Sequence, residues 1–220
     1  GNIGSGKSTL YADLQRYYSN NTDICFVPEP VDDWTNIVDA NNTPILTNLY
    51  KDTRKYAFRF QMMAYISRLT IIRENVRDIM AAVKKNKDEG NDSKKYILIT
   101  ERSLYTDKYV FAKMLYDQGK IEDVKYQIYL NWFDEFAKDF PVNDVIYVNT
   151  EPTKCYERIH KRARIGEEVI PLTYLSACHE YHNAFLDETT GIKATQLVLN
   201  GNLDIFQNSN VIDDWIGLIK

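Results

Sequence analysis

Hydrophobic and polar positions follow two rhythms along this chain. In "STLYADLQRYY", Leu10, Leu14 and Tyr17 or Tyr18 recur at helical spacing. "ICFV", Ile24 to Val27, is a short continuous apolar run halted by Pro28 and Pro30, and it reads as a buried strand. A long helical pattern then runs from about Tyr56 to Val83 through Phe60, Met63, Ile66, Leu69, Ile72 and Val76. It gives way to the charged loop "KKNKDEGNDSKK". "YILIT", Tyr96 to Thr100, is another continuous run of the kind found in fully buried parallel strands. Helices are predicted from about Thr106 and across "YQIYLNWFDEFAKDF". A strand in "DVIYVNT", a helix from Cys155 to Arg164, a strand in "QLVLNG" and a short C-terminal helix complete the order.

Strands alternating with helices predict an α/β fold, a parallel sheet with helices on both faces. In such sheets ligands collect at the carboxyl ends of the strands. Three polar segments fall at those ends: "PEPVDDW", "TERSLYTD" and the glycine-rich start "GNIGSGKST".

That start satisfies G-x-x-x-x-G-K-[ST] with Gly1, Gly4, Gly6, Lys7 and Ser8. The spacing lets a turn aim successive backbone N–H groups at phosphate oxygens, at the positive end of a helix. Lys7 would reach the outer phosphates of a triphosphate and the Ser8 hydroxyl a Mg²⁺ ion. Asn2, Ile3, Ser5 and Thr9 complete the same loop. The motif normally follows a buried strand, so a sheet of about five strands is expected, its first strand upstream of Gly1.

Composition narrows the class. The 220 residues suit one domain spanning 1–220, and no stretch approaches the ~20 apolar residues needed to cross a bilayer. A net charge of −4 argues against a partner as polyanionic as a nucleic acid polymer. Cys25, Cys155 and Cys178 are scattered and odd in number, which suits free thiols in a reducing, cytoplasmic setting. His179 and His182 fall one residue short of the H-E-x-x-H zinc spacing and read as ordinary helix residues.

Each polar cluster has a bland and a sharp reading. Glu29 is either an exposed turn carboxylate or a general base accepting the proton of an attacking hydroxyl. Glu101 and Arg102 are either a surface ion pair or a Mg²⁺-organising acid beside a charge-stabilising arginine. "RIHKRARIGEE" places Arg158, Arg162 and Arg164 within two helical turns, either a solvated basic face or a lid that closes on phosphates. Gln61 and Arg68, seven apart on the long helix, share a face, and a Gln amide matches a nucleobase edge.

Together, "GNIGSGKST", "VPEPVDDW", "FQMMAYISR", "ERSLYTDKYVFA", "RIHKRARIGEE" and "IPLTYL" resemble, in order, the deoxynucleoside kinase family, in its deoxycytidine/deoxyguanosine/deoxyadenosine kinase branch. The resemblance implies a P-loop kinase fold, ATP as phosphate donor with Mg²⁺, a deoxynucleoside acceptor and a homodimer. It points to Glu29 as the base for the 5′-hydroxyl, with Glu101 a second candidate for that role. Glu101 and Arg102 would lie near the metal and phosphates. Gln61 would pair with the base. Phe60, Phe111 and Trp34 would wall the base pocket, with Ile3 near the sugar, and Tyr50 and Glu167 would hold the 3′-hydroxyl. The arginines of a lid near 158–170 would clamp the donor phosphates, and the adenine-binding loop would fall near Asn202 to Asp204. Arg68 and Asp107 match a pair that favours deoxycytidine or purine deoxynucleosides over thymidine, while Met62 and Met63 depart from the family's more usual residues there. Two other readings compete. A nucleoside monophosphate kinase would need a cationic clamp where Asp32 and Asp33 stand, and a nucleotide-binding switch would need neither Gln61 nor Glu29.

Overall fold

The structure is a computed structural model that describes residues 1–89, 94–164, 166–167, 169–187, 193–203, 205 and 210–219. The phosphate-loop segment leads into α1 (Lys7–Tyr17), followed by β1 (Ile24–Val27), α2 (Val31–Asn36), α3 (Ile45–Lys51) and the long α4 (Thr53–Asp88). Next come β2 (Ile97–Thr100), α5 (Leu104–Thr106), a π-helical turn (Asp107–Ala112), α6 (Lys113–Asp117) and α7 (Asp123–Phe136). A 3₁₀ turn (Ala137–Asp139), β3 (Asp144–Asn149), α8 (Pro152–Arg162), α9 (Leu172–Phe185), β4 (Thr195–Asn200) and α10 (Asn210–Ile219) complete the chain.

All four described strands pair in parallel, but in two separate two-stranded sheets rather than the one sheet expected, and β2 is only partly buried, with Ile97 55% exposed. β1 pairs with β2, Ile24 opposite Ile97 through Val27 opposite Thr100. β3 pairs with β4, Asp144 opposite Thr195 through Asn149 opposite Asn200. Gly1 begins beside the end of β3: a Cβ there would sit 2.4 Å from the Val148 carbonyl oxygen. Residues just past three strands, Glu29, Glu101 and Gly201, line one cleft with the phosphate loop, which is the placement a parallel sheet imposes on ligands.

Helix α4 is the spine of the molecule. Its 36 residues span roughly 54 Å at 1.5 Å per residue. One face sends Ala57, Phe60 and Ala64 against Trp34, Leu49, Phe111 and Met114. Another sends Tyr65, Leu69 and Ile72 against Val27 and against Tyr129 and Phe133 of α7. On the other side of the molecule, Leu10 and Leu14 of α1 pack with Val148, Leu199 and Trp215.

The helix extends three residues before its predicted start because Asp52 caps it, its carboxylate accepting the Lys55 N–H at 3.1 Å. Ile66, counted in the apolar stripe, is instead 48% exposed. The single helix expected from about Thr106 is broken by the π-helical turn, and α2 and α3 are too short for periodicity to reveal. Helix α8 starts at Pro152, where a proline lacks no needed donor, and ends where Ala163 turns left-handed at φ 50°.

Replacing Asp52 with Ala should cost about 1 kcal/mol, the usual worth of such a cap. It would appear as a lower urea midpoint at unchanged slope.

Candidate active site

The phosphate loop is folded before any ligand meets it. Gly4 and Gly6 have φ of 75° and 99°, and a Cβ on Gly4 would lie 2.7 Å from the Cys155 carbonyl oxygen. Only glycine takes that backbone at that approach without strain. Three neighbours tether the turn. Asn2 Nδ2 donates to the Leu175 carbonyl at 2.8 Å, Thr150 Oγ1 donates to the Ser5 carbonyl at 3.0 Å, and Lys7 Nζ donates to the Asn2 carbonyl at 2.7 Å. Asn2 is 2% exposed, so its side chain anchors the loop to α9 rather than facing a ligand. No side chain caps α1, which leaves its first N–H groups to an anion. Burial, with Arg102 adding to it, lowers the Lys7 pKa to about 7. An anion beside it would restore the charge.

Ser8 and Glu101 meet at one point, the serine Oγ donating to Glu101 Oε1 at 2.7 Å. Glu101 leaves β2 with its N–H on the Val27 carbonyl at 3.0 Å. Arg102, next along, has a φ of 66°, an uncommon conformation for a residue with a side chain. The turn sends its guanidinium to Glu29 at 2.9 Å and over the Phe111 ring at 4.9 Å from the centroid. Its Nε is buried with no partner.

Glu29 follows β1 and is fixed between two prolines. Its Oε1 accepts from Arg102 Nη1 and from Arg68 Nη2 at 3.0 Å. Burial alone would raise its pKa, but Arg102, Arg68 and Lys7 outweigh it and hold the carboxyl at about 2. Arg68, itself 2% exposed, also donates from Nε to Asp107 at 2.9 Å and from Nη1 to the Glu101 carbonyl at 2.8 Å. Burial works against its charge, yet Asp107 and Glu29 more than compensate. The Arg68–Asp107 pair therefore forms, with Arg68 facing chiefly protein groups. The π-helical turn carries Asp107 and Phe111 together into the cleft, a distortion often found at functional sites.

At the other end stand Trp34, Phe60, Gln61 and Phe111, all buried and all lining the cleft. Trp34 and Phe60 pack edge to face at 5.3 Å. Gln61 Oε1 is buried without a hydrogen-bond partner, so this acceptor is set for an N–H donor entering the cleft. Tyr50 meets Tyr174 edge to face at 5.9 Å, and burial, then Glu167, pushes its hydroxyl pKa above the ordinary range. Glu167 accepts from Arg162 and, at 3.3 Å, from Arg164.

Arg158, expected as a phosphate clamp, lines the cleft and is bonded to protein groups. Its guanidinium donates to three backbone carbonyls, Gly201 at 2.8 Å, Leu203 at 3.0 Å and Ser5 at 3.3 Å, and so ties α8 to the loops around it. Ile3, Ser8, Thr9, Arg162 and Arg164 line the cleft, while Asp204 lies outside the described residues. Tyr174, Trp215 and Lys161 also line it and escaped sequence reasoning. Tyr174 sits inside the quoted segment "IPLTYL", but nothing local tells a pocket tyrosine from a core one.

The cleft encloses about 400 Å³, room for a small organic molecule with its reacting groups. A glycine phosphate turn feeding α1, with acid groups at the ends of parallel strands, defines a P-loop kinase fold. The chain belongs to the deoxynucleoside kinase family, whose sequence pattern it matches over residues 1–220. It is 35% identical over 215 residues to the probable deoxycytidine kinase of fowlpox virus, covering 96% of this chain and 80% of that protein. Chicken deoxycytidine kinase 2 is 31% identical over 239 residues, 98% of this chain and 85% of its own. Human mitochondrial thymidine kinase 2 is 32% identical over 188 residues, 84% and 62% of the two chains. The protein is thus a deoxynucleoside kinase. Among the described residues no helix is long and apolar enough to cross a membrane.

Because the folded Glu29 pKa of about 2 lies below the ordinary 4.5, its ion pairs stabilise the fold fully above pH 4.5, and that contribution is lost as pH falls through 2. Unfolding titrations of wild type and Glu29→Gln should differ by a constant amount above about pH 5 and converge progressively as pH falls from 4.5 to about 2.

Proposed function

We propose that the protein transfers the γ-phosphoryl group of ATP, or another nucleoside triphosphate, to the 5′-hydroxyl of a deoxynucleoside, with deoxycytidine or purine deoxynucleosides preferred over thymidine. The observation that carries this reading is Glu29 held by two arginines in the cleft that also contains Lys7. The hydroxyl oxygen attacks the γ-phosphorus, the bond to the bridging β–γ oxygen breaks, and the hydroxyl proton passes to Glu29. Lys7 and Arg102 offset the charge that gathers on the transferring group, and the cleft supplies alignment, which is most of what this chemistry requires. The contact of Glu101 with Ser8 favours Glu29 as the base and leaves Glu101 for the metal.

Ser8 and Glu101 offer two hard oxygen atoms 2.7 Å apart, a donor set that fits a Mg²⁺ ion completed by phosphate oxygens and water. Such an ion would neutralise charge on the donor phosphates. The unpartnered Gln61 oxygen suits a ring N–H or amino group of the base, between Trp34, Phe60 and Phe111. The Arg68–Asp107 pair lines the same cleft, which supports discrimination against thymine's extra methyl. Tyr50 and Glu167 are assigned to the sugar 3′-hydroxyl. Arg162 and Arg164, in a lid near 158–170, are assigned to the donor phosphates, and Arg158 to holding the loops that seat them.

A homodimer is supported by exposed apolar residues on adjoining helices: Ile66 of α4 at 48%, with Ile128 at 42% and Trp132 at 47% on α7. The Tyr65 hydroxyl donates to the Trp132 carbonyl at 3.2 Å and holds those helices side by side. Three free thiols suit a reducing compartment such as the cytoplasm.

Incubation with ATP, Mg²⁺ and each deoxynucleoside in turn should give turnover greatest with deoxycytidine or a purine deoxynucleoside. Turnover with a nucleoside monophosphate only, or hydrolysis without an acceptor, would defeat the reading. Glu29→Gln should lower kcat by roughly two to four orders of magnitude while nucleoside affinity stays near wild type. In sedimentation, Ile66→Glu should shift the protein toward monomer.

A further inference from the structure

Ser67 precedes Arg68 on α4 and has no part in the chemistry described above. Its hydroxyl donates to the Met63 carbonyl at 2.9 Å, with the Ala64 carbonyl a further 3.2 Å contact. With its proton used there, the oxygen is left as an acceptor, and it takes the indole N–H of Trp34 at 2.9 Å. Trp34 is 5% exposed, and a buried indole N–H needs such a partner. The ring so held packs edge to face on Phe60, lies 5.9 Å from the Arg68 guanidinium carbon and forms one wall of the cleft.

The geometry points to Ser67 as a positioning residue for the acceptor nucleoside, an assignment that rests on the activity proposed above. Its hydroxyl sets the plane of Trp34 and so the width of the base pocket. The same turn of α4 sends Arg68 to Glu29, so one helical segment places both the base wall and the general base. Widening the pocket loosens the smaller pyrimidine base more than a purine, so Ser67 also shapes base selectivity.

The test is Ser67→Ala, which removes the acceptor while placing a good helix former in a helix. Losing the partner of a buried N–H should raise the acceptor KM about three- to tenfold, more for deoxycytidine than for deoxyguanosine, with donor KM and saturated kcat within about twofold of wild type. Ser67→Thr, which keeps the hydroxyl, should restore the acceptor KM. In a Trp34→Phe background, which has no indole N–H, Ser67→Ala should have no further effect on it. An unchanged acceptor KM in Ser67→Ala overturns the inference. So does an equal, additive effect in the Trp34→Phe background, because a merely structural serine would act whether or not the indole is there. Wild-type turnover separates the two possible failures: a wild type that phosphorylates no nucleoside removes the activity reading and this role together, whereas an active one leaves Ser67 to be judged on the variants.

Discussion

One guanidinium joins the working parts of this enzyme. Arg68 reaches from the middle of α4 to Glu29 after β1, to the Glu101 carbonyl after β2, and to Asp107 in the π-helical turn. Arg102 closes the group on Glu29. Charges this deep are tolerated only when paired and hydrogen-bonded, and removing one member strands the others. The cluster therefore constrains the backbone. The left-handed corner at Arg102 and the π-helical turn at Asp107 are distortions that bring its members within reach.

For the reaction proposed above, that arrangement is what would let a carboxylate with a pKa near 2 act as the base. It stays ionised across physiological pH, so the proposed base needs no prior deprotonation. Arginines that keep it charged also place it, and the loose transition state of phosphoryl transfer asks more for alignment than for a strong base. The donor end is organised differently. Its loop is held by uncharged tethers, Asn2 on Leu175 and Thr150 on Ser5, and by Arg158 bonded to carbonyls, so its amides keep their orientation without a competing anion.

Much of this was legible along the chain. The parallel strands, the spine helix and the glycine turn follow from continuous apolar runs, a 3.6-residue rhythm and a fixed spacing of Gly, Lys and Ser. Glu29, Glu101, Gln61 and Arg68 stood out because polar residues at strand ends or within apolar helix faces are costly without a purpose. Ile66 shows where periodicity misleads, since a stripe position on a long helix can face outward as readily as into the core. Arg158 shows what spacing leaves out: it lines the cleft, but its carbonyl partners lie at positions 5, 201 and 203, beyond the reach of any local pattern.

By itself the sequence determined the kinds of element, their order and the chemistry available at the strand ends, because propensity, periodicity and turn stereochemistry act over a few neighbouring residues. Only the tertiary structure decided who meets whom. It paired Ser67 with Trp34, tied Asn2 to the Leu175 carbonyl, and set Glu29 between two arginines from segments 39 and 73 residues away. Those choices belong to close packing and to buried charge, which act through space and leave no trace in the order of residues.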